Sequence, residues 1–251
     1  MYDLAEVVGH TNALWSAIGS RIDGAPKWLS RPSSTPEMHA LWKHPELVLG
    51  QTCGWPLVTE LWPLVTSGAL NVVGTFWYHV SSDPGYYNAQ HVYPNPMRDV
   101  YSPRSAVNSY DSLSGWVSHA YRNTEAITSV LLTGSHVETL RAIQSNTADM
   151  GTIDAVTYDL LRRHRPEAVT GILVSEGDLR VPCLPLITTR PVEEIREAIV
   201  DAIAQPELAT DLDALAIYEF VPMDASHYEH LLRYSDEANF RYDRPGNSLR
   251  N

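Results

Sequence analysis

The stretch TGSHVETLRAIQSNTADMGTIDAVTYDLLRRHRPEA (133–168) decides the fold. Its pattern predicts a helix over 136–146, a strand over 149–153 and a second helix over 155–164. Each helix opens on a good capping residue. Ser135 precedes the first, and Glu138 stands where a capping box needs it. Asp154 closes the strand and can cap the second helix. Strands that run straight into helix starts belong to an α/β sheet with helices on its faces.

The alternation continues on both sides. Further strands are predicted over 46–50, 70–80, 104–108, 127–133, 170–175, 184–189 and 214–220. Further helices are predicted over 4–18, 58–65, 114–124, 192–204 and 225–234. Pro36, in the loop RPSSTPEM (31–38), sits well near a helix start. SSDPGYYNAQHVYPNP (81–96) is rich in turn formers, so Tyr86 and Tyr87 read as part of a solvated turn. The tail RYDRPGNSLRN is polar.

Composition narrows the function. The 251 residues, 44% hydrophobic, suffice for one large domain or two lobes with real cores. A net charge of −12 argues against nucleic acid as a partner, because phosphate backbones need a basic face. A small anion stays open, since it needs only local positive potential. Cys53 and Cys183 read as free thiols. The start MYDLAEVVGH lacks a basic stretch, and Asp3 and Glu6 interrupt any apolar run. A cytoplasmic location is therefore expected; a trimmed mature form would be periplasmic. No Walker loop, GxGxxG, GxSxG, HExxH or CxxC occurs, so no cofactor and no metal is expected.

The candidate chemistry lies in the helix starts. The first N–H groups of a helix lack intrahelical acceptors, and the helix dipole adds partial positive charge there. Such an end holds an oxyanion without lysine or arginine. Four junctions fit. In NSYDSLSGW (108–116), Ser112, Ser114 and Gly115 can cap a helix or meet a ligand. Gly134, Ser135 and His136 form the second, with His136 a neutral donor or, if protonated, a charged one. Thr52, Cys53, Gly54 and Trp55 form the third; Trp55 reads either as core or as a cleft wall. Asp154 is the fourth, and an acid there suits a ligand that carries an amine or a protonated oxygen.

LVLGQTCGWPL (47–57), AVNSYDSLSGW (106–116), the opening stretch and LPLITT (184–189) occur in one order. Together they resemble the phosphate/phosphite/phosphonate-type substrate-binding proteins of ABC transporters, the PhnD-like proteins. MYDL resembles the end of that family's first strand. The resemblance implies a type II periplasmic-binding-protein architecture: two Rossmann-like lobes with mixed sheets, joined by a two-strand hinge. Crossings are expected near 76–82 and 182–188. Lobe 1 would hold 1–78 and 188–251, and lobe 2 would hold 79–187. The implied ligand is a small oxyanion such as phosphate, phosphite or a phosphonate, bound between the lobes of a monomer. The same resemblance adds Tyr2 and Tyr78 to the site, and an ABC permease as partner if the chain is exported. It implies a binding protein rather than an enzyme. The alternative is a cytoplasmic enzyme on the same scaffold acting on a small metabolite, with Asp154, His136 and Cys53 as acid, base or nucleophile.

Overall fold

The computed structural model describes residues 4–79, 86–94, 104–107 and 129–232. After a 3-10 turn at Ala5–Val7, helices α1 (Val8–Gly19) and α2 (Thr35–Trp42) lead to the short strand β1 (Gly50–Gln51). Helices α3 (Gly54–Thr59) and α4 (Trp62–Thr66) precede β2 (Asn71–Tyr78). Strands β3 (Tyr86–Pro94), β4 (Arg104–Val107) and β5 (Ser129–Leu132) follow. Then come α5 (His136–Gln144), β6 (Met150–Asp154), α6 (Ala155–His164) and β7 (Ile172–Pro182). The described chain closes with β8 (Pro185–Thr188), α7 (Val192–Ile203), α8 (Ala209–Ala214), β9 (Ile217–Pro222) and a 3-10 segment at Ala225–Leu231.

The described strands form two sheets. One has four strands in the order β1-β8-β2-β9, and its pairs are antiparallel. The other has five in the order β5-β4-β6-β3-β7. There β4 runs parallel to both β5 and β6, while β3 runs antiparallel to β6 and β7. The chain leaves the first sheet after Tyr78 and re-enters it at Pro185. Strand β8 thus lies in the first sheet, and the return passage falls between Pro182 and Pro185.

Apolar spacing explains the packing. In α1, Leu14, Trp15 and Ile18 make one stripe, continued backwards by Val7. In α7, Ile195, Ala198, Ile199 and Ala202 repeat at i, i+3, i+4 and i+7. Both stripes join one core cluster with Val73 and Leu186. The neighbouring strand residues Val72 and Ile187 belong to a second cluster with Trp42, Leu57, Leu61 and Tyr228. Successive strand side chains point to opposite faces, so the four-stranded sheet is covered on both sides. A third cluster, including Ala106, Leu140, Ile143, Ile153 and Leu161, supports the five-stranded sheet. Burying each of these large aliphatic side chains is worth roughly 1.5–3 kcal/mol.

Helix α6 joins the two halves. Val156 and Leu160 pack into the first cluster, and Leu161 packs into the third. At its end His164 Nε2 lies 2.8 Å from the Ala214 carbonyl, and Arg165 pairs with Glu6 at 2.5 Å.

Four expectations change. The strand expected over 46–50 is reduced to Gly50–Gln51. Within the stretch 81–96, the described residues are no turn: β3 occupies Tyr86–Pro94 and is paired on both edges. Its Asn and Pro residues suggest a break, but two flanking strands outweigh local propensity. The expected helix over 58–65 is two short helices, with Pro63 in the first turn of the second. Proline suits a helix start and not a helix interior, which sets the break. The expected helix over 225–234 is a 3-10 segment whose Asp224 carboxylate accepts the Ser226 N–H at 2.9 Å. The expected helix over 114–124 lies outside the described residues.

Candidate functional site

Three parallel strands end on one edge of the five-stranded sheet. Val107 pairs with Leu132, and Ala106 pairs with Gly151, so β4, β5 and β6 finish side by side. Helices α5 and α6 therefore start on that same edge. In open α/β sheets the crevice outside the carboxyl ends of parallel strands is the usual ligand position. The segment after Val107, with Ser112, Ser114 and Gly115, lies outside the described residues, as does Tyr2.

Ser135 is the N-cap of α5, and its hydroxyl accepts the Glu138 N–H at 3.2 Å. Half of the expected capping box is present. The Glu138 carboxylate instead holds Arg141 one turn on. Gly134 takes φ +83 just before the cap, a backbone shape that side chains disfavour. His136 is the first residue of α5, and its Nδ1 is buried without a partner among the described residues. Burial lowers its pKa from 6.5 to about 4. The helix dipole acts in the same direction, since a cation at an N-terminus is disfavoured. His136 is thus neutral across the physiological range. It resembles an orphaned buried polar group, which a ligand oxygen or proton can satisfy.

Asp154 ends β6 and caps α6, accepting the Thr157 N–H at 2.5 Å. It is 3% exposed. Its negative charge also reaches the first sheet. Burial raises the pKa of Tyr78, and the Asp154 charge adds to the rise. Burial likewise pushes the Cys183 thiol up to about 12, again with help from Asp154. Tyr78, at the end of β2, accepts a hydrogen bond from the Gln51 amide at 3.4 Å. The cap of α6, the end of β2 and the return passage at Cys183 therefore meet where the two sheets join.

The third junction is placed beside this seam. The Thr52 N–H donates to the Pro185 carbonyl at 3.0 Å, and Thr52 is fully buried. Cys53 is the N-cap of α3, without a side-chain cap bond, and its thiol is free of disulfide. Gly54 serves packing: a Cβ there would stand 2.9 Å from Leu231 Cδ1. Trp55 is 8% exposed and belongs to the second core cluster, which is the core reading of that residue. The Tyr228 hydroxyl donates to the Cys183 carbonyl at 2.6 Å and fixes the return passage from below.

Sequence reasoning did not place Gln51 or Cys183 in the site. Gln51 stands inside the quoted LVLGQTCGWPL, directly before Thr52, but its partner is 27 positions away. Nothing local announces that pairing. A separate cavity of 720 Å³ opens in the first lobe, and it shares Gln51 and Tyr78 with the seam. Ser135, His136 and Asp154 do not line it.

With two sheets, two connecting passages and strand ends gathered at the seam, the chain has the type II periplasmic-binding-protein fold. Solved structures of that fold superpose on most of it. PhnD1 from Prochlorococcus marinus, in complex with methylphosphonate, matches with a TM-score of 0.72 at 12% identity, covering 94% of each chain. A binding protein component of an ABC phosphonate transporter from Pseudomonas aeruginosa matches with a TM-score of 0.68 at 12% identity, over 92% of this chain and 82% of that one. XAC2383 from Xanthomonas citri, bound to chloride, matches with a TM-score of 0.66 at 12% identity, over 95% and 94%. No protein-family model matches the sequence, and no curated protein does.

Proposed function

We propose that this chain is a solute-binding protein that takes a small phosphorus oxyanion, such as a phosphonate, phosphite or phosphate, between its lobes. The observation that carries the reading is the neutral, buried Nδ1 of His136 at the start of α5, without a partner among the described residues, on the edge where three parallel strands end. First-turn N–H groups supply positive potential without a cation. That fits a protein of net charge −12. Asp154 opposes a full dianion. A ligand that turns an amine or a protonated oxygen toward Asp154, and its bare oxygens toward His136, satisfies both ends. The methylphosphonate in PhnD1 is that protein's ligand; it supports the chemical class here and no more.

Calorimetry is the direct test, using methylphosphonate, 2-aminoethylphosphonate, phosphite and phosphate. At least one is expected to bind. A double Ser112→Ala/Ser135→Ala variant that still melts cooperatively is expected to bind it at least tenfold more weakly, the loss of about 1.4 kcal/mol. No heat from any of the four, or equal heat from wild type and variant, would sink the reading.

A further inference from the structure

The cavity of 720 Å³ in the first lobe is half-open, and its size suits a small organic molecule. Its floor and its mouth differ in chemistry. The floor is buried and apolar, with Leu14, Trp15, Ile18, Trp42, Phe76 and Leu186. Several polar atoms there are already engaged. The Trp15 indole N–H donates to the Pro26 carbonyl at 3.1 Å, and the Trp42 indole N–H donates to the Gln51 carbonyl at 2.9 Å. The Leu47 and Val48 carbonyls accept from the Thr188 and Thr189 hydroxyls. The two indoles therefore bring apolar surface to the cavity, not donors.

The mouth carries the charge. Arg31, His44 and Glu46 are exposed in the lining, and Arg190 is half-buried. Two arginines against one acid make this mouth locally positive in a chain of net charge −12. Arg31 donates to the Asn12 side chain at 2.8 Å. The Arg190 guanidinium has no acceptor among the described residues, Glu46 included. Every other arginine with a described side chain donates to an oxygen, in most cases a carboxylate. The Arg190 backbone is also tied to the cavity wall. Its N–H donates to the Thr188 hydroxyl at 3.0 Å, and that hydroxyl donates to the Val48 carbonyl. Its Nη2 reaches the turn at Gly24, another lining residue, where a Cβ would stand 3.7 Å away. An anchored backbone and an unspent planar fork suit a carboxylate, which takes two parallel N–H bonds from one guanidinium.

The walls define the rest of the ligand. Trp15, Trp28, Trp42, Phe76 and Tyr78 all line the cavity, and so many rings favour a flat aromatic partner over a flexible chain. Trp28 is 72% exposed at the mouth, where such a partner would cover it. We propose that the cavity binds a flat aromatic monocarboxylate, its ring against the tryptophan-lined floor and its carboxylate on Arg190. Ser135, His136 and Asp154 do not line this space, so the ligand is a second one, apart from the oxyanion between the lobes.

The test is calorimetry on the full chain with 2-naphthoate and with 2-naphthalenemethanol, the neutral alcohol of the same ring. Naphthoate is expected to bind and to raise the melting temperature. The alcohol is expected to bind about tenfold more weakly, because it cannot accept the paired charge-assisted bonds. Arg190→Gln, checked for a cooperative melt, is expected to weaken naphthoate by about the same tenfold and to leave the alcohol unchanged. No binding of naphthoate to the wild type, or equal affinity for the two compounds, would overturn the proposal. So would naphthoate binding that Arg190→Gln leaves intact, which would put the carboxylate elsewhere, the seam included. The comparison of the two compounds needs no variant, so it decides the matter even where Arg190→Gln does not fold. None of these readouts uses a phosphorus oxyanion, so this proposal can fail while the binding-protein reading stands.

Discussion

Gly74→Ala is expected to destabilise the protein by about 3–5 kcal/mol, a large share of the stability of an ordinary domain. Gly74 sits at a register shift in β2 and takes φ +153. A Cβ there would lie 2.4 Å from the Val221 carbonyl oxygen and 2.7 Å from two carbons of the Phe220 ring. The oxygen is backbone in the paired strand β9 and cannot rotate away. Relief therefore requires β2 and β9 to part, in the strand that carries Tyr78 to the seam. Gly68→Ala is the control. It has φ +74 but nothing within 4 Å of its Cβ, so only backbone strain of about 1–2 kcal/mol applies. Urea midpoints measure both. A Gly74→Ala midpoint no lower than that of Gly68→Ala would show that β2 gives way without cost.

Lowering the pH should weaken the fold through His136. Its folded pKa, about 4, lies below the ordinary 6.5 because burial disfavours the charged ring. Between those values the unfolded chain binds a proton that the folded chain refuses. The stabilisation is complete above pH ~6.5 and is lost as the pH falls through about 4. The full span is worth up to roughly 3 kcal/mol. His136→Gln removes the titration while keeping a polar side chain. Wild-type stability minus variant stability, measured in urea from pH 7 to pH 4, is expected to fall steadily. A flat difference would place the His136 ring in contact with water.

The fold was legible where local pattern and pairing agree. Strands over 70–80 and 184–189, and helices over 155–164 and 192–204, return within one or two residues. Those segments carry their own apolar period, and the helix over 155–164 also carries its own cap, Asp154. Strand β3 was not legible, because its partners β6 and β7 lie more than 50 positions downstream and only pairing with them makes it a strand. The caps at Ser135 and Asp154 could be read from residue type and spacing. What surrounds Asp154 could not, since Tyr78 and Cys183 approach it from distant parts of the chain, and Gln51 bonds to Tyr78. The neutral state of His136 was likewise beyond the sequence, which left both protonation states open; burial decides it.

The two sheets differ in how the chain supplies them. All strands of the five-stranded sheet come from one continuous span, between Tyr86 and Pro182. The four-stranded sheet takes β1 and β2 from before that span, and β8 and β9 from after it. On a ribosome adding about 5–20 residues per second, β2 therefore waits several seconds or more for both of its neighbours. The second lobe can close first, and its closure brings Tyr78 and Pro185 together before the first lobe exists. Through that interval β2, with Val72, Val73 and Phe76, is the segment most in need of a chaperone. Protease pulses on arrested nascent chains should find strands β3 to β7 protected while residues before Tyr78 are still cut.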